Sequence, residues 1–436
     1  MTQSLLINAR WVVPVEPDGA VLERHAVAVR DGRIEAVLPS AEAAPRFAHY
    51  ARVDLPGHAL IPGLVNAHTH AAMTLMRGLA DDLPLMRWLE EHIWPVEAKH
   101  VSPEFVHDGT LLACAEMLRG GVTCFNDMYF FPEAALAAAQ QAGMRAALGL
   151  IVVEFPSAYA SDPQAYLAKG LALRDRWRED ERVSFCLAPH APYTVSDASF
   201  RRIAQLAAEL ELPVHVHVHE TADEIERGLA EHGQRPLARL AGLGLLGPGL
   251  IAVHAVHLTR EEVETLARHR SSVAHCPSSN LKLASGIAPV AQLLAAGVNV
   301  ALGTDGAASN NRLDVLAEMR LAALLAKAAG ASAEAMPAHA ALRAATLGGA
   351  IALGLDARIG SIVPGKAADL AAVSLDDVTL QPMYDVVSHL VYACGREQVT
   401  DVWVGGEHVL RERELARLEL ADLQARAALW HTKILN

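Results

Sequence analysis

Residues 64–70 read LVNAHTH, a short apolar run that ends in two histidines, His68 and His70. Side chains alternate faces along a strand, so imidazoles spaced i, i+2 leave the same face and can reach one ion. Seven further runs have the same build: VTCFNDM (122–128), RAALGLIVV (145–153), VSFCLAPH (183–190), PVHVHVHE (213–220), LIAVHAVH (250–257), SSVAHCP (271–277) and NVALGTD (299–305). Eight candidate strands thus fall within about 240 residues. Helix-like stretches separate them, among them PEFVHDGTLLACAEMLRGG, PEAALAAAQQAG and SDASFRRIAQLAAEL. Alternating βα units with strands apolar on both faces predict a parallel sheet. Eight such units predict closure into an α/β fold of the (β/α)₈, or TIM, barrel type.

The flanks read differently. Near the start, LLINARWVVPV, AVAVRDGRIEAVLP and ARVDLPGHALIPG alternate like short strands, and Asp31-Gly32 marks a hairpin turn. Two helices are expected at about 313–329 and 334–350. After them, GSIVPGKAADLAAVSL and VTDVWVGGEHVL return to strands and turns. The economical arrangement is one small β-sandwich domain built from both termini, residues 1–60 and 358–436, beside a barrel at 61–357.

Bulk properties narrow the function. The 436 residues are 52% hydrophobic and 20% charged, which is ordinary for a globular chain. A net charge of −13 repels phosphate backbones and anionic lipid, so nucleic acid and membrane are not expected partners. The start, MTQSLLINARWVVPVE, lacks the basic and apolar regions of a signal peptide. Five scattered cysteines without CxxC spacing fit reduced thiols and a cytoplasmic setting.

Six of the eight runs end in a polar residue that a plain structural strand would not need. In a parallel barrel the carboxyl ends of the strands face the active site. His68 and His70 close the first run, His217 lies in the fifth, His254 in the sixth, His275 in the seventh, and Asp305 closes the eighth. A lone histidine at a strand end is more often a structural hydrogen-bonding residue. The conjunction of imidazoles and a carboxylate on successive strand ends instead points to Zn²⁺ or a similar divalent ion. Within HVHVHE, period 2 puts His215, His217 and His219 on one face. Which of them faces an ion is open at this point. His215 packing deeper and His219 facing solvent is one arrangement. If the chain turns after His217, then His217 and Glu220 converge.

LIPGLVNAHTH, HVHVHET, VHAVHL, CPSSNLKLASGIAPV and LGTDGAASNN together resemble the amidohydrolase superfamily. The likeness spans about residues 5 to 410, and AMTLMRGLADDLPLMRWLEEHIWPVE narrows it to the 5′-methylthioadenosine/S-adenosylhomocysteine deaminase and triazine-hydrolase branch. The resemblance implies metal ligation by His68, His70, His217 and Asp305, with His217 chosen because it stands three residues before Glu220. It implies Glu220 as the proton-transferring acid, His254 as the histidine holding water or substrate, and Asp305 as proton acceptor. It places Glu97 against ribose hydroxyls, His190 in the substrate pocket and Asn280 near the pocket mouth. Two-metal members carry a bridging lysine at the end of the fourth strand. None of the six lysines here ends a barrel run, so one divalent metal, Zn²⁺, is expected.

The implied reaction is hydrolytic deamination of an adenine nucleoside by a metal-activated hydroxide, giving the inosine analogue and ammonia. Branch members that take S-adenosylhomocysteine use an arginine just after a GMRALL-like segment; here Leu150 follows and no arginine appears before Arg174. That favours 5′-methylthioadenosine, with S-adenosylhomocysteine and adenosine as further candidates. The competing activities are a triazine-type amino- or chlorohydrolase and a guanine or cytosine deaminase. A metal-stabilised scaffold without activity is a third class. Fold analogy implies a homo-oligomer, dimer or tetramer.

Overall fold

The computed structural model describes residues 4–436. Its strands in chain order are β1 (Leu5–Val12), β2 (Leu22–Arg30), β3 (Arg33–Pro39), β4 (Ala51–Pro62), β5 (Leu64–Thr69), β6 (Val122–Asp127), β7 (Arg145–Val152) and β8 (Val183–Pro189). There follow β9 (Val214–Val218), β10 (Leu250–His254), β11 (Ser272–His275), β12 (Asn299–Leu302), β13 (Leu370–Ser374), β14 (Val399–Val404), β15 (Glu407–Arg411) and β16 (Glu414–Leu415).

All eight apolar runs become the parallel strands β5 to β12, which neighbour one another in chain order. β5, β6 and β7 are buried along their whole length, as unbroken apolar runs require. The barrel closes between β12 and β5. The backbone N–H groups of Thr304 and Asp305 donate to the His68 carbonyl at 3.2 and 3.0 Å. One buried amide reinforces this seam. Asn66 Nδ2 donates to Thr304 Oγ1 at 2.7 Å, and Asn66 Oδ1 accepts from the Thr304 N–H at 3.0 Å. The same closure therefore fixes His68 and Asp305 side by side.

The three quoted helical stretches form helices at Pro103–Arg119, Pro132–Ala142 and Asp197–Leu210. Ser102 and Ser196 cap the first and third by accepting a backbone N–H. The first of the two later helices runs Val315–Ala329. The second departs from expectation: it starts after Pro337 and breaks at Thr346 into Ala338–Ala345 and Leu347–Ala352. The reason is packing against the barrel. A side chain at Gly348 would lie 2.5 Å from the Val300 carbonyl on β12, so the chain turns there to bring bare backbone against the strand.

The termini build one continuous sheet in the order β16-β15-β14-β13-β4-β1-β2-β3. β4 joins the halves, parallel to β1 and antiparallel to β13. Ile7, Val27 and Val29 from one half share a core with Leu370, Ala372 and Trp403 from the other, so the two termini form one unit. The hairpin at Asp31-Gly32 forms as read, with φ of 51° and 76°, the two positive values of a type I′ turn. A Cβ at Gly32 would sit 2.6 Å from the Gly405 carbonyl, where the β14–β15 turn abuts it. Only Gly63 separates β4 from β5, so this sheet feeds directly into the strand that carries His68. The last helix, Leu420–Leu435, lies on helix Pro103–Arg119, where Trp430 meets Phe105 edge-on at 5.2 Å and donates to Asp108 at 2.9 Å. All five cysteines are buried and unpaired. Among the described residues no helix is long and apolar enough to cross a membrane.

Candidate active site

The carboxyl ends of β5, β9, β10 and β12 bring His68, His70, His217, His254 and Asp305 together. Ligand atoms of His68, His217 and His254 lie within 4.8 Å of one another, as do those of His68, His70 and Asp305. Asp305 Oδ1 stands 3.3 Å from Nε2 of both His68 and His70, and His217 Nε2 stands 3.2 Å from His68 Nε2.

What turns these nitrogens inward is a set of partners on the opposite ring atom. His70 Nδ1 donates to the Met128 carbonyl at 2.6 Å, and His217 Nδ1 to the His190 carbonyl at 2.7 Å. Each proton on Nδ1 leaves Nε2 with a free lone pair. His68 Nδ1 meets His215 Nε2 at 2.9 Å. Burial keeps His68 and His217 neutral, pushing His68 down to about 4 and His217 well below its ordinary range. Asp305 is held ionised: burial opposes its charge, but the His68 hydrogen bond and neighbouring histidines bring it well below the usual carboxylate range. Its Oδ2 accepts from Ser279 at 2.6 Å and Ser309 at 2.8 Å, and Oδ1 accepts from the Gly306 N–H at 2.7 Å. Three imidazoles and one carboxylate with orienting partners are a donor set that fits a divalent cation.

Within HVHVHE, the end of the strand decides which side chains share the pocket. β9 ends at Val218, and His219 takes φ of 58°, a left-handed turn. His217 and Glu220 then line the same pocket. His215 does pack deeper, behind His68. His219 does not face solvent: it is fully buried, its Nε2 accepting from the Leu237 N–H at 2.9 Å. Glu224 accepts the backbone N–H groups of His219 and Glu220 at 3.0 and 2.8 Å, which fixes the turn.

Glu220 stands 3.7 Å from His254 Nε2. Burial first, then the Asp305 charge, raises its carboxyl above the ordinary value, although His254 opposes the shift. Asn280 is not at the mouth. The helix Pro277–Lys282 buries it behind His254, whose Nδ1 meets Asn280 Oδ1 at 2.8 Å. His190 lies beside His217 with ring centres 4.9 Å apart, and burial lowers it to about 3. His275 is buried beneath the cluster's strands and lines no part of the pocket.

Glu97 enters from the helix Trp94–His100 and lines the pocket with Trp94, Tyr129, Phe130, Phe155 and Tyr193. Sequence reading missed Tyr129, Ser279, Ser309 and Glu224. Tyr129 had a signal, since it stands two residues past the end of β6; the serines and Glu224 look like ordinary helix-end residues.

A parallel barrel with this donor set at its carboxyl mouth defines a metal-dependent hydrolase. The amidohydrolase family model matches residues 59–409, and the chain belongs to that family. It is 48% identical over 428 residues to a 5-methylthioadenosine/S-adenosylhomocysteine deaminase of Teredinibacter turnerae, covering 98% of this chain and 97% of that one. Among solved structures, an adenosine deaminase from Xanthomonas campestris with bound zinc shares 55% identity, with a TM-score of 0.97 over 99% of this chain and 98% of its own. The atrazine chlorohydrolase of Arthrobacter aurescens TC1, complexed with zinc, is 25% identical with a TM-score of 0.90, covering 98% of this chain and all of that one.

Proposed function

We propose that this chain deaminates an adenine nucleoside, 5′-methylthioadenosine ahead of the alternatives S-adenosylhomocysteine and adenosine. Water and the nucleoside give the inosine analogue and ammonia. The residues at 61–357 carry the reaction, and the terminal residues 1–60 and 358–436 support it.

The observation that carries this reading is the pair of enclosed carboxyls in one pocket, Glu220 beside the histidine cluster and Glu97 on the wall with Tyr129. An adenine between them would meet a proton donor at one end and a diol acceptor at the other. A triazine or a free base has no use for Glu97.

His68, His70, His217 and Asp305 would hold one Zn²⁺; β8 ends at Pro189, without the lysine a second ion would need. Such an ion acts as a Lewis acid and brings the ionisation of water close to neutral pH. Asp305, ionised and fixed by Ser279 and Ser309, accepts the proton of the water that attacks C6. Glu220, protonated by burial, donates to ring N1, which makes C6 electrophilic. His254, oriented by Asn280, stabilises the oxygen at the tetrahedral carbon. The proton held by Asp305 passes to the amino group, ammonia departs from C6, and the hydroxyl proton returns to Glu220 as the C6 carbonyl forms.

A panel of purine nucleosides, free bases and a chlorotriazine, scored by ammonia and chloride release with metal measured on the same preparation, tests the reading. Ammonia from adenine nucleosides alone is expected. Chloride release, or turnover confined to free bases, would replace it.

A further inference from the structure

A helix packed onto a protein by one stripe ordinarily turns charged and polar side chains to water on the other. Asp197–Leu210 does so, exposing Arg201, Arg202, Gln205 and Glu209. The last helix, Leu420–Leu435, does not. Its inner stripe is ordinary: Leu423 and Trp430 are buried, with Trp430 on Phe105. Its outer stripe is Ala421, Ala425, Ala428, Leu429, Thr432 and Leu435, all exposed and none charged. Leu429 is 63% exposed and Leu435 68%. The one hydroxyl among them turns back on its own helix, Thr432 Oγ1 donating to the Ala428 carbonyl at 3.0 Å. No side chain of this face therefore needs water, over a length of about 24 Å. Single exposed leucines are common on protein surfaces; an uncharged stripe along four turns marks a face that something covers. Among the described residues nothing lies over it.

The polar side chains stand along the edges of the stripe. At 3.6 residues per turn, Asp422 and Lys433 share one edge, and Gln424 and His431 share the other. Both pairs have the same midpoint, between Ala427 and Ala428. Such a helix is complementary to itself when turned end for end. A two-fold axis at this midpoint sets Asp422 opposite the partner's Lys433, Lys433 opposite the partner's Asp422, and Gln424 opposite the partner's His431. Ala428 meets the partner's Ala428, where small side chains let the backbones approach, and Leu435 falls over the partner's Ala421. A parallel pairing would instead set acid on acid and lysine on lysine. The contacts these charges already make leave them available. Asp422 Oδ2 accepts from Arg426 Nε at 2.8 Å, and Lys433 Nζ stands 3.7 Å from Glu104 in an exposed pair of the weak kind. A lipid surface would call for a basic edge, whereas this helix carries an acid and a lysine on the same edge.

We propose that the outer stripe of Leu420–Leu435 is the contact between two copies of this chain, paired antiparallel about a two-fold axis at Ala428. The same patch serves both copies, as a closed two-fold dimer requires. The inference is independent of the chemistry at the barrel mouth.

Sedimentation equilibrium of the metal-loaded protein over a range of concentrations tests it. The wild type is expected as a dimer, or as a larger assembly of such pairs. Ala428→Arg places two like charges at the two-fold axis and is expected to halve the mass. Asp422→Lys and Lys433→Glu each set like charges at both contacts and are expected to raise the dissociation constant by about 10- to 100-fold. The double variant exchanges the signs and is expected to recover association. Unchanged Tm and metal content of the monomeric forms would show that each variant keeps its fold. A wild type that stays monomeric at every concentration would overturn the proposal. So would an assembly that Ala428→Arg leaves intact, or a double variant that associates no better than the single ones.

Discussion

The Tyr129 hydroxyl donates a 2.6 Å hydrogen bond to Glu97 Oε1. Glu97 keeps part of its surface toward the pocket, but its carboxyl end is enclosed by protein, and this desolvation raises it to about 7 against the opposing Tyr129 bond. The group therefore titrates near neutrality, where ordinary glutamates are fully ionised. Only the ionised form accepts from both ribose hydroxyls. We expect kcat/KM for nucleosides to fall as pH drops below about 7, through KM more than kcat. Tyr129→Phe removes the bond that favours the charge, so the midpoint moves to higher pH. A pH profile unaltered in Tyr129→Phe and in Glu97→Gln would take Glu97 out of substrate binding.

Glu220→Gln keeps the shape of the side chain and removes its proton donor. General acid–base groups contribute about 10²- to 10⁴-fold, so kcat should fall by that amount. Metal content should hold, because Glu220 lies outside the cluster of ligand atoms. Stopped-time ammonia assays beside metal analysis decide it; wild-type turnover in this variant would reassign the acid.

Stripping the metal with a chelator should abolish activity, and zinc should restore it. The bound ion should also raise Tm, since a ligand at a thousand times its Kd stabilises by about 4 kcal/mol. The metal-free protein should show its own acid sensitivity. His68 has a folded value of about 4, depressed by burial from 6.5. A histidine depressed on folding contributes stability that is complete above its unfolded value and is lost as pH falls through the interval between the two. Buried carboxyls such as Glu97 act in the opposite sense, so the His68 share is read as the difference in urea midpoint between the metal-free wild type and His68→Gln, which should change between about pH 6.5 and pH 4. A difference constant over that range would show that His68 is not buried neutral.

The barrel was legible because its strands are buried on both faces, so runs such as RAALGLIVV carry no alternation to confuse with an open sheet. The histidine–carboxylate cluster was legible because His68 and His70 are spaced i, i+2 at one strand end and Asp305 follows the last barrel strand. Other features depend on tertiary contact. That His217 and Glu220 share the pocket turns on β9 ending at Val218, which Glu224 enforces from a later helix. Asn280 lies behind His254 because of how its short helix packs, a placement no local pattern encodes. The break at Thr346 comes from the approach of Gly348 to β12.

His215 is the remaining case, and its geometry makes a distinct prediction. For His68 to present Nε2 to an ion, its Nδ1 must carry the proton and donate it to His215 Nε2, 2.9 Å away. His215 must then hold its own proton on Nδ1, and among the described residues that atom has no hydrogen-bond partner. The buried, neutral ring thus accepts at one nitrogen at the cost of an unmet donor at the other. Such an arrangement sets the tautomer of His68 rather than adding to packing. His215→Phe keeps the volume and removes the acceptor, leaving the His68 Nδ1–H buried and unpaired and freeing the ring to take the wrong tautomer. Partners of metal-ligating histidines contribute about 10- to 100-fold to metal affinity. Competition against a zinc chelator should show a loss of that size in His215→Phe. His215→Gln, whose side-chain oxygen can accept from Nδ1, should recover part of it. If both variants bind zinc as tightly as the wild type, His215 is a space-filling residue and His68 is oriented by the barrel seam alone.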